Sequence, residues 1–267
     1  MNEEENYKEI NKNLWNEKTA IHLNTEFYDM ESFLHGKNSL NPIEVGLLGD
    51  IANKDILHLQ CHFGQDSISL ARMGANVTGL DLSDAAIDAA RETNDKLGLN
   101  AKFICSDVYE APESLNGQFD IVFISYGTIG WLPDLNKWAA VIHRCLKPGG
   151  KLVFVEFHPV IWMFDYDFTK FDYSYFNDGA IVEELEGTYA DKEANISAKS
   201  VSWNHSISEV LQGLLKNGLN IQSFEEYDYS PYDCFNNQIE VEPRKFQVRG
   251  MQGMIPMLYS VTATKTS

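Results

Sequence analysis

Between residues 54 and 157, short apolar runs alternate with amphipathic stretches, and this rhythm constrains the fold more than any other feature of the chain. Residues 56–59, 76–80, 101–105, 119–124 and 151–156 read as strands, with helices over 66–72, 84–97 and 134–146. The last of these helices is stopped by Lys147-Pro148-Gly149-Gly150, where Pro cannot continue it and Gly can cap it. Strands with nearly unbroken apolar runs are buried on both faces, the situation of a parallel sheet covered by helices. Further on, 207–217 reads as helix, and 219–225 and 258–265 as strands. The expected fold is therefore α/β: a doubly wound, mostly parallel seven-stranded sheet. The strands at 219–225 and 258–265 are expected to pair, the last antiparallel to its neighbours. The long link over 226–257 is expected to hold an excursion containing Tyr229-Ser230-Pro231-Tyr232.

The 267 residues suit one core with embellishments. Residues 1–45, polar and aromatic with a short helix over 11–17, read as an N-terminal helical cap. Residues 46–267 read as the main domain, with an insert at about 158–205. Eight aromatics crowd 162–176, which reads as a partly buried excursion, an oligomer contact or a substrate lid. The net charge is 21 − 39 = −18, which repels phosphate backbones and anionic membrane surfaces and speaks against a nucleic-acid substrate. The longest uncharged stretch, 250–264, is too short and too interrupted to span a bilayer. The start, Met1-Asn2-Glu3-Glu4-Glu5, has neither a basic region nor an apolar one, so a cytoplasmic protein is expected. Cys61, Cys105, Cys145 and Cys234 lie far apart with no CxxC pair and read as reduced thiols. His58, Cys61 and His62 lack a further ligand, so no metal is expected.

Open α/β sheets bind ligands at the carboxyl ends of their strands. After the first strand comes Gln60-Cys61-His62-Phe63-Gly64-Gln65-Asp66, a tight turn that exposes backbone N–H groups at a helix start. Asp81-Leu82 follows the second strand, 81 − 64 = 17 residues beyond Gly64. Asp107-Val108 follows the third and Ser125-Tyr126-Gly127-Thr128 the fourth. The plain alternative for Asp81 is a helix cap, and for Asp107 a turn former.

Four such matches in order, over about residues 50–157, resemble the class I S-adenosylmethionine-dependent methyltransferases. Leu57 to Asp66 is similar to a bacterial subgroup whose glycine-rich loop is degenerate, and Lys147-Pro148-Gly149-Gly150 is similar to the family's turn before the fifth strand. The resemblance implies a cofactor site in which Gln60, Cys61, His62 and Gly64 meet the methionine portion. Asp81 and Leu82 would meet the ribose, Asp107 and Val108 the adenine, and Ser125 and Tyr126 would complete the site. The loop departs from the family where His58, Gln60 and His62 replace an acid and two glycines, and the Cβ atoms at Gln60 and His62 are expected to restrict positive φ.

The function implied is methyl transfer to a small-molecule acceptor, with S-adenosylhomocysteine as the second product. The oligomeric state is left open. His158, after the fifth strand, and Tyr126 are the candidate bases, the ordinary reading of His158 being a hydrogen-bonded structural residue. Trp15, His22, Tyr28, Trp131 and Trp162 are expected to help wall or roof the acceptor pocket. Two other classes stay open. A non-catalytic cofactor-binding protein on a decayed methyltransferase fold fits the degenerate loop. An NAD-dependent oxidoreductase shares the sheet but requires G-x-G-x-x-G, which this loop lacks.

Overall fold

A computed structural model describes residue 4 and residues 6–266. The terminal run read for its lack of a leader therefore lies, apart from Glu4, outside the described residues. Three helices come first: α1 (Tyr7–His22), α2 (Met30–Leu34) and α3 (Pro42–Leu48). Next are β1 (Asp55–Leu59), α4 (Gln65–Arg72), β2 (Asn76–Asp81), α5 (Asp84–Lys96) and β3 (Lys102–Cys105). Then follow β4 (Phe119–Ser125), α6 (Leu135–Cys145) and β5 (Leu146–Phe157). A hairpin of β6 (Ile181–Glu186) and β7 (Ser197–Ser202) precedes α7 (Ile207–Lys216) and β8 (Leu219–Tyr227). A second hairpin, β9 (Gln238–Glu242) and β10 (Lys245–Val248), leads to β11 (Leu258–Lys265).

Seven strands form one sheet in the order β3-β2-β1-β4-β5-β11-β8. Pairing is parallel from β3 to β5, and β11 is antiparallel to both β5 and β8. This is the pairing the sequence led us to expect. The order reverses between β1 and β4, and at such a switch point the strand ends part to leave a crevice.

Side-chain alternation explains why the apolar runs are nearly continuous. Leu57, Leu59, Val122, Ile124 and Phe154 pack on one face with Trp138 of α6. Ile56, Val77, Ile121, Phe123 and Val153 pack on the other with Leu70 of α4. Each fully buried side chain of this kind contributes about 1.5–3 kcal/mol. The helices begin at polar caps: Ser83 accepts from the Ala86 N–H at 3.0 Å, Asp134 from Lys137 at 3.0 Å and Ser206 from Glu209 at 3.2 Å.

Three elements differ from the sequence reading. The helix expected over 11–17 runs from Tyr7 to His22, because Leu14, Lys18 and His22 continue its buried face. The Lys147-Pro148-Gly149-Gly150 turn is absorbed into β5, where the register shifts from Phe119↔Leu146 to Ile121↔Lys151. The insert contains the β6–β7 hairpin, and α1 rests on it: Asn11 donates to the Val201 carbonyl at 2.7 Å and accepts from the Val201 N–H at 2.9 Å. On its other side α1 meets α5, where Asn16 Oδ1 accepts from the Ser83 hydroxyl at 2.6 Å. Among the described residues no helix is long and apolar enough to cross a membrane.

Candidate functional site

The loop after β1 is held in alternating left-handed conformations: Gln60 has φ 54°, His62 φ 50° and Gly64 φ 79°. For an L-residue this region costs roughly 1–2 kcal/mol. The expectation that Cβ atoms at Gln60 and His62 would keep them out of it is not met, and named bonds offset the cost. The Gln60 side-chain Nε2 donates to the Thr128 carbonyl at 2.8 Å, and the His62 backbone N–H donates to Asp81 Oδ2 at 2.8 Å. At Gly64 no side chain fits, since a Cβ would lie 2.8 Å from Phe103 Cε1 and 2.9 Å from Ala90 Cβ.

Asp81 closes β2 with its second oxygen accepting from the Ser83 N–H at 2.9 Å. Burial raises its carboxyl above the usual range, and these backbone bonds oppose that rise. Asp107, after β3, accepts from the Tyr109 N–H at 2.7 Å and from Lys8 of α1 at 2.6 Å. After β4, the Ser125 hydroxyl donates to Asp66 at 3.3 Å. Tyr126, with φ 44°, donates its phenol to Glu44 Oε2 at 2.7 Å.

Neither Glu44 nor Glu156 was legible as a functional residue. Glu44 is fully buried in α3, and burial followed by the charge of Asp66 pushes its carboxyl up to about 7. Its one sequence signal was Asn41-Pro42-Ile43-Glu44, which reads as a helix cap, and it does accept from the Asn41 N–H at 3.1 Å. Glu156 of β5 fixes the turn after β4, accepting from the N–H groups of Gly127, Thr128 at 2.7 Å and Ile129 at 3.2 Å.

These strand ends open into one cavity of about 1070 Å³, at the upper end of the roughly 300–1,000 Å³ usual for ligand sites. Gln60, Cys61, His62, Gly64, Asp81, Leu82, Asp107, Val108, Ser125 and Tyr126 all line it. So do Trp15, Tyr28, Trp131 and Trp162. The roof is knitted by ring contacts, Trp15 to His62 at 5.2 Å and to Trp131 at 5.4 Å, and by the hydroxyl pair of Tyr28 and Tyr189. His22 is not on the wall. It is fully buried behind it, 5.2 Å from the Tyr28 ring and 4.8 Å from Tyr189. His158 is also off the wall: Nδ1 accepts from the Val160 N–H at 3.2 Å, and Nε2 lies 2.9 Å from Glu226. Of the two candidate bases, Tyr126 lines the cavity and His158 does not.

Residues 56–150 match the family model described as a methyltransferase domain. Residues 56–150 are a class I methyltransferase domain. A ubiquinone biosynthesis O-methyltransferase from Pseudomonas aeruginosa is 30% identical over 129 residues, 47% of this chain and 55% of that protein. The chain thus spans about half the length of the relatives it matches. A solved structure from Listeria monocytogenes has a TM-score of 0.63 at 19% identity, covering 84% of this chain and 95% of its own. An S-adenosylmethionine-dependent methyltransferase from Mesorhizobium loti has a TM-score of 0.55 at 19% identity, covering 87% and 100%. Both share the fold of the methyltransferase domain.

S-adenosylmethionine is the cofactor of this domain class, and the residues present fit it. Asp81 offers a carboxylate at the rim of the loop, where a ribose diol needs acceptors. Gln60 Oε1 and His62 Nε2 are buried polar atoms with no partner, as expected where a polar ligand completes the site. Among the described residues no group of three or more His, Cys, Asp or Glu side chains could hold a metal ion.

Proposed function

We propose that this chain is an S-adenosylmethionine-dependent methyltransferase acting on a small-molecule acceptor that carries an ionisable hydroxyl. The observation that carries the reading is the continuity of one cavity from the Asp81 carboxylate and the left-handed loop to Tyr126, whose phenol donates to the buried Glu44. When bound, the cofactor supplies an activated methyl group; the chain has to align two reactants and exclude water. Asp81 holds the ribose, Val108 and Asp107 border the adenine, and the Gln60–Gly64 turn receives the methionine portion. Trp15, Tyr28, Trp131 and Trp162 close the acceptor end.

Tyr126 and Glu44 handle the proton. As the acceptor hydroxyl becomes a nucleophile, its proton passes to the Tyr126 oxygen while the Tyr126 proton passes to Glu44 Oε2. A carboxylate raised to about 7 is matched to that task near neutral pH. The relative's name, an O-methyltransferase, supports a hydroxyl acceptor. The net charge of −18 supports a small molecule over a nucleic acid. The four unpaired cysteines support a reducing compartment, and with it the cytoplasm.

Incubation with methyl-labelled S-adenosylmethionine and fractionated small metabolites tests the reading. Label is expected in a low-mass product, strongly reduced by Tyr126→Phe and by Asp81→Ala. Cofactor binding without label in any fraction would point instead to a non-catalytic binding protein, and binding of NAD alone to an oxidoreductase.

A further inference from the structure

Of the eight aromatics crowded into 162–176, Trp162, Phe164, Tyr166, Phe168 and Tyr173 line the cavity. They continue a file of rings that starts at Tyr126. Ring centres lie 5.8 Å apart from Tyr126 to Phe157, 5.0 Å from Phe157 to Phe235 and 6.0 Å from Phe235 to Phe168. The file goes on from Phe168 to Phe164 at 5.4 Å and from Phe164 to Phe171 at 4.6 Å. Trp162 stands beside it, 5.9 Å from Phe157 and 5.5 Å from Phe235. Phe157 and Phe168 are buried, 9% and 6% exposed, whereas Trp162 is 40% exposed and Phe171, at the far end, 65%. The file therefore runs from the transfer end of the cavity to solvent.

Core packing accounts for the inner rings, since Phe157 and Phe168 join Ile161, Val248 and Met257 in one apolar cluster. It leaves Trp162, Phe164 and Phe235 only part-covered on the cavity wall. Apolar surface kept open along a cavity is the usual mark of an apolar ligand. The polar side chains that border the file answer one another or the backbone. The Tyr173 phenol donates to Glu183 at 2.5 Å, Asn236 to Asp167 at 3.0 Å, and the exposed Lys192 to the Phe235 carbonyl at 3.2 Å. Ring surface is what this wall offers a ligand. A cavity of about 1070 Å³ has room for an extended molecule beside the cofactor. Because the file begins at Tyr126 and shares its cavity, its occupant is the methyl acceptor and not a second protein.

We propose that the acceptor is elongated and apolar, with its hydroxyl at Tyr126 and an uncharged tail lying along Phe157, Phe235, Phe168 and Trp162. The placement of the hydroxyl rests on the methyl-transfer reading; the path of the tail rests on the rings. The probes are 4-alkylphenols of increasing chain length, titrated calorimetrically into the S-adenosylhomocysteine-loaded protein and offered as acceptors with methyl-labelled S-adenosylmethionine. Each added methylene is expected to tighten binding about fourfold until the chain reaches the exposed end of the file. Phenols of matched length whose chains end in a carboxylate are expected to show no such gain. Trp162→Ala and Phe235→Ala are expected to cut the gain to about twofold or less per methylene. Phe176→Ser, at an exposed ring off the cavity wall, is expected to keep it in full. Binding that is absent or independent of chain length overturns the proposal, as does an equal gain for the carboxylates. A dimer in sedimentation that Trp162→Ala dissociates, with no dependence on chain length, overturns it in favour of a contact between copies of this chain. Length-dependent binding with no label transferred to any phenol upholds the tail's path and overturns the methyl-transfer reading instead. A wild type that takes up no S-adenosylhomocysteine overturns the cofactor reading, and the same series on the unloaded protein then decides the tail.

Discussion

Glu44 carries a pH dependence that its position in α3 makes unavoidable. Burial raises its carboxyl from 4.5 to about 7, so the fold favours the protonated form. The native state then binds more protons than the unfolded chain between those values, and stability falls as pH rises through the window. The contribution is full below about 4.5 and lost above about 7, on the order of 3 kcal/mol. Urea denaturation at pH 5 and pH 8 is expected to show a smaller loss of stability for Glu44→Gln than for the wild type; equal losses would contradict the assignment. Gly64→Ala combines φ 79° with a Cβ 2.8 Å from the Phe103 ring, and is expected to destabilise the fold by about 1–3 kcal/mol in the same assay. Asp81→Ala is expected to weaken cofactor binding by about 1.5–3 kcal/mol. Part of that loss comes through the loop, because the His62 N–H loses its acceptor. At this scale the sequence was partly legible. Asp81 and Asp107 follow from their strand ends, whereas His158 occupies a strand end yet is taken by Glu226 from β8. Position after a strand locates a backbone, and the side chain is then claimed by partners distant in sequence.

The element that decides whether the cavity is closed is α1. It supplies Trp15 and Lys18 to the wall and is anchored on β7 by the two-way Asn11–Val201 bond. Asn11→Ala removes two buried hydrogen bonds and is expected to lower stability by about 1–3 kcal/mol, with hydrogen exchange rising first in α1 and the β6–β7 hairpin. Unchanged exchange in both would contradict the coupling. Deletion of residues 1–30 is expected to leave a folded sheet with methyl transfer abolished; full transfer by a folded truncated protein would sink the roof. The sheet strands were legible because burial on both faces forces long apolar runs. The β6–β7 hairpin was not: Glu183, Glu184 and Glu186 crowd its first strand, whose side chains alternate only between partly buried and exposed. Such a strand takes its order from its partner and from α1, which no local pattern reports.

At the scale of the whole molecule, two layers of helix on one sheet leave a crevice at the β1–β4 reversal, and the N-terminal helix with the insert covers it. The crevice follows from the strand order, and the sequence reading reached the sheet and its strand ends but not that order. Its cover depended on contacts between residues far apart in the chain. On the proposed function, this covered crevice holds S-adenosylmethionine against Asp81. Calorimetric titration of the wild type and Asp81→Ala with S-adenosylhomocysteine tests it most directly. One site per chain is expected in the wild type, weakened by about 1.5–3 kcal/mol in Asp81→Ala, with no binding of NAD. Equal affinity in the two proteins, or no binding in the wild type, would contradict it.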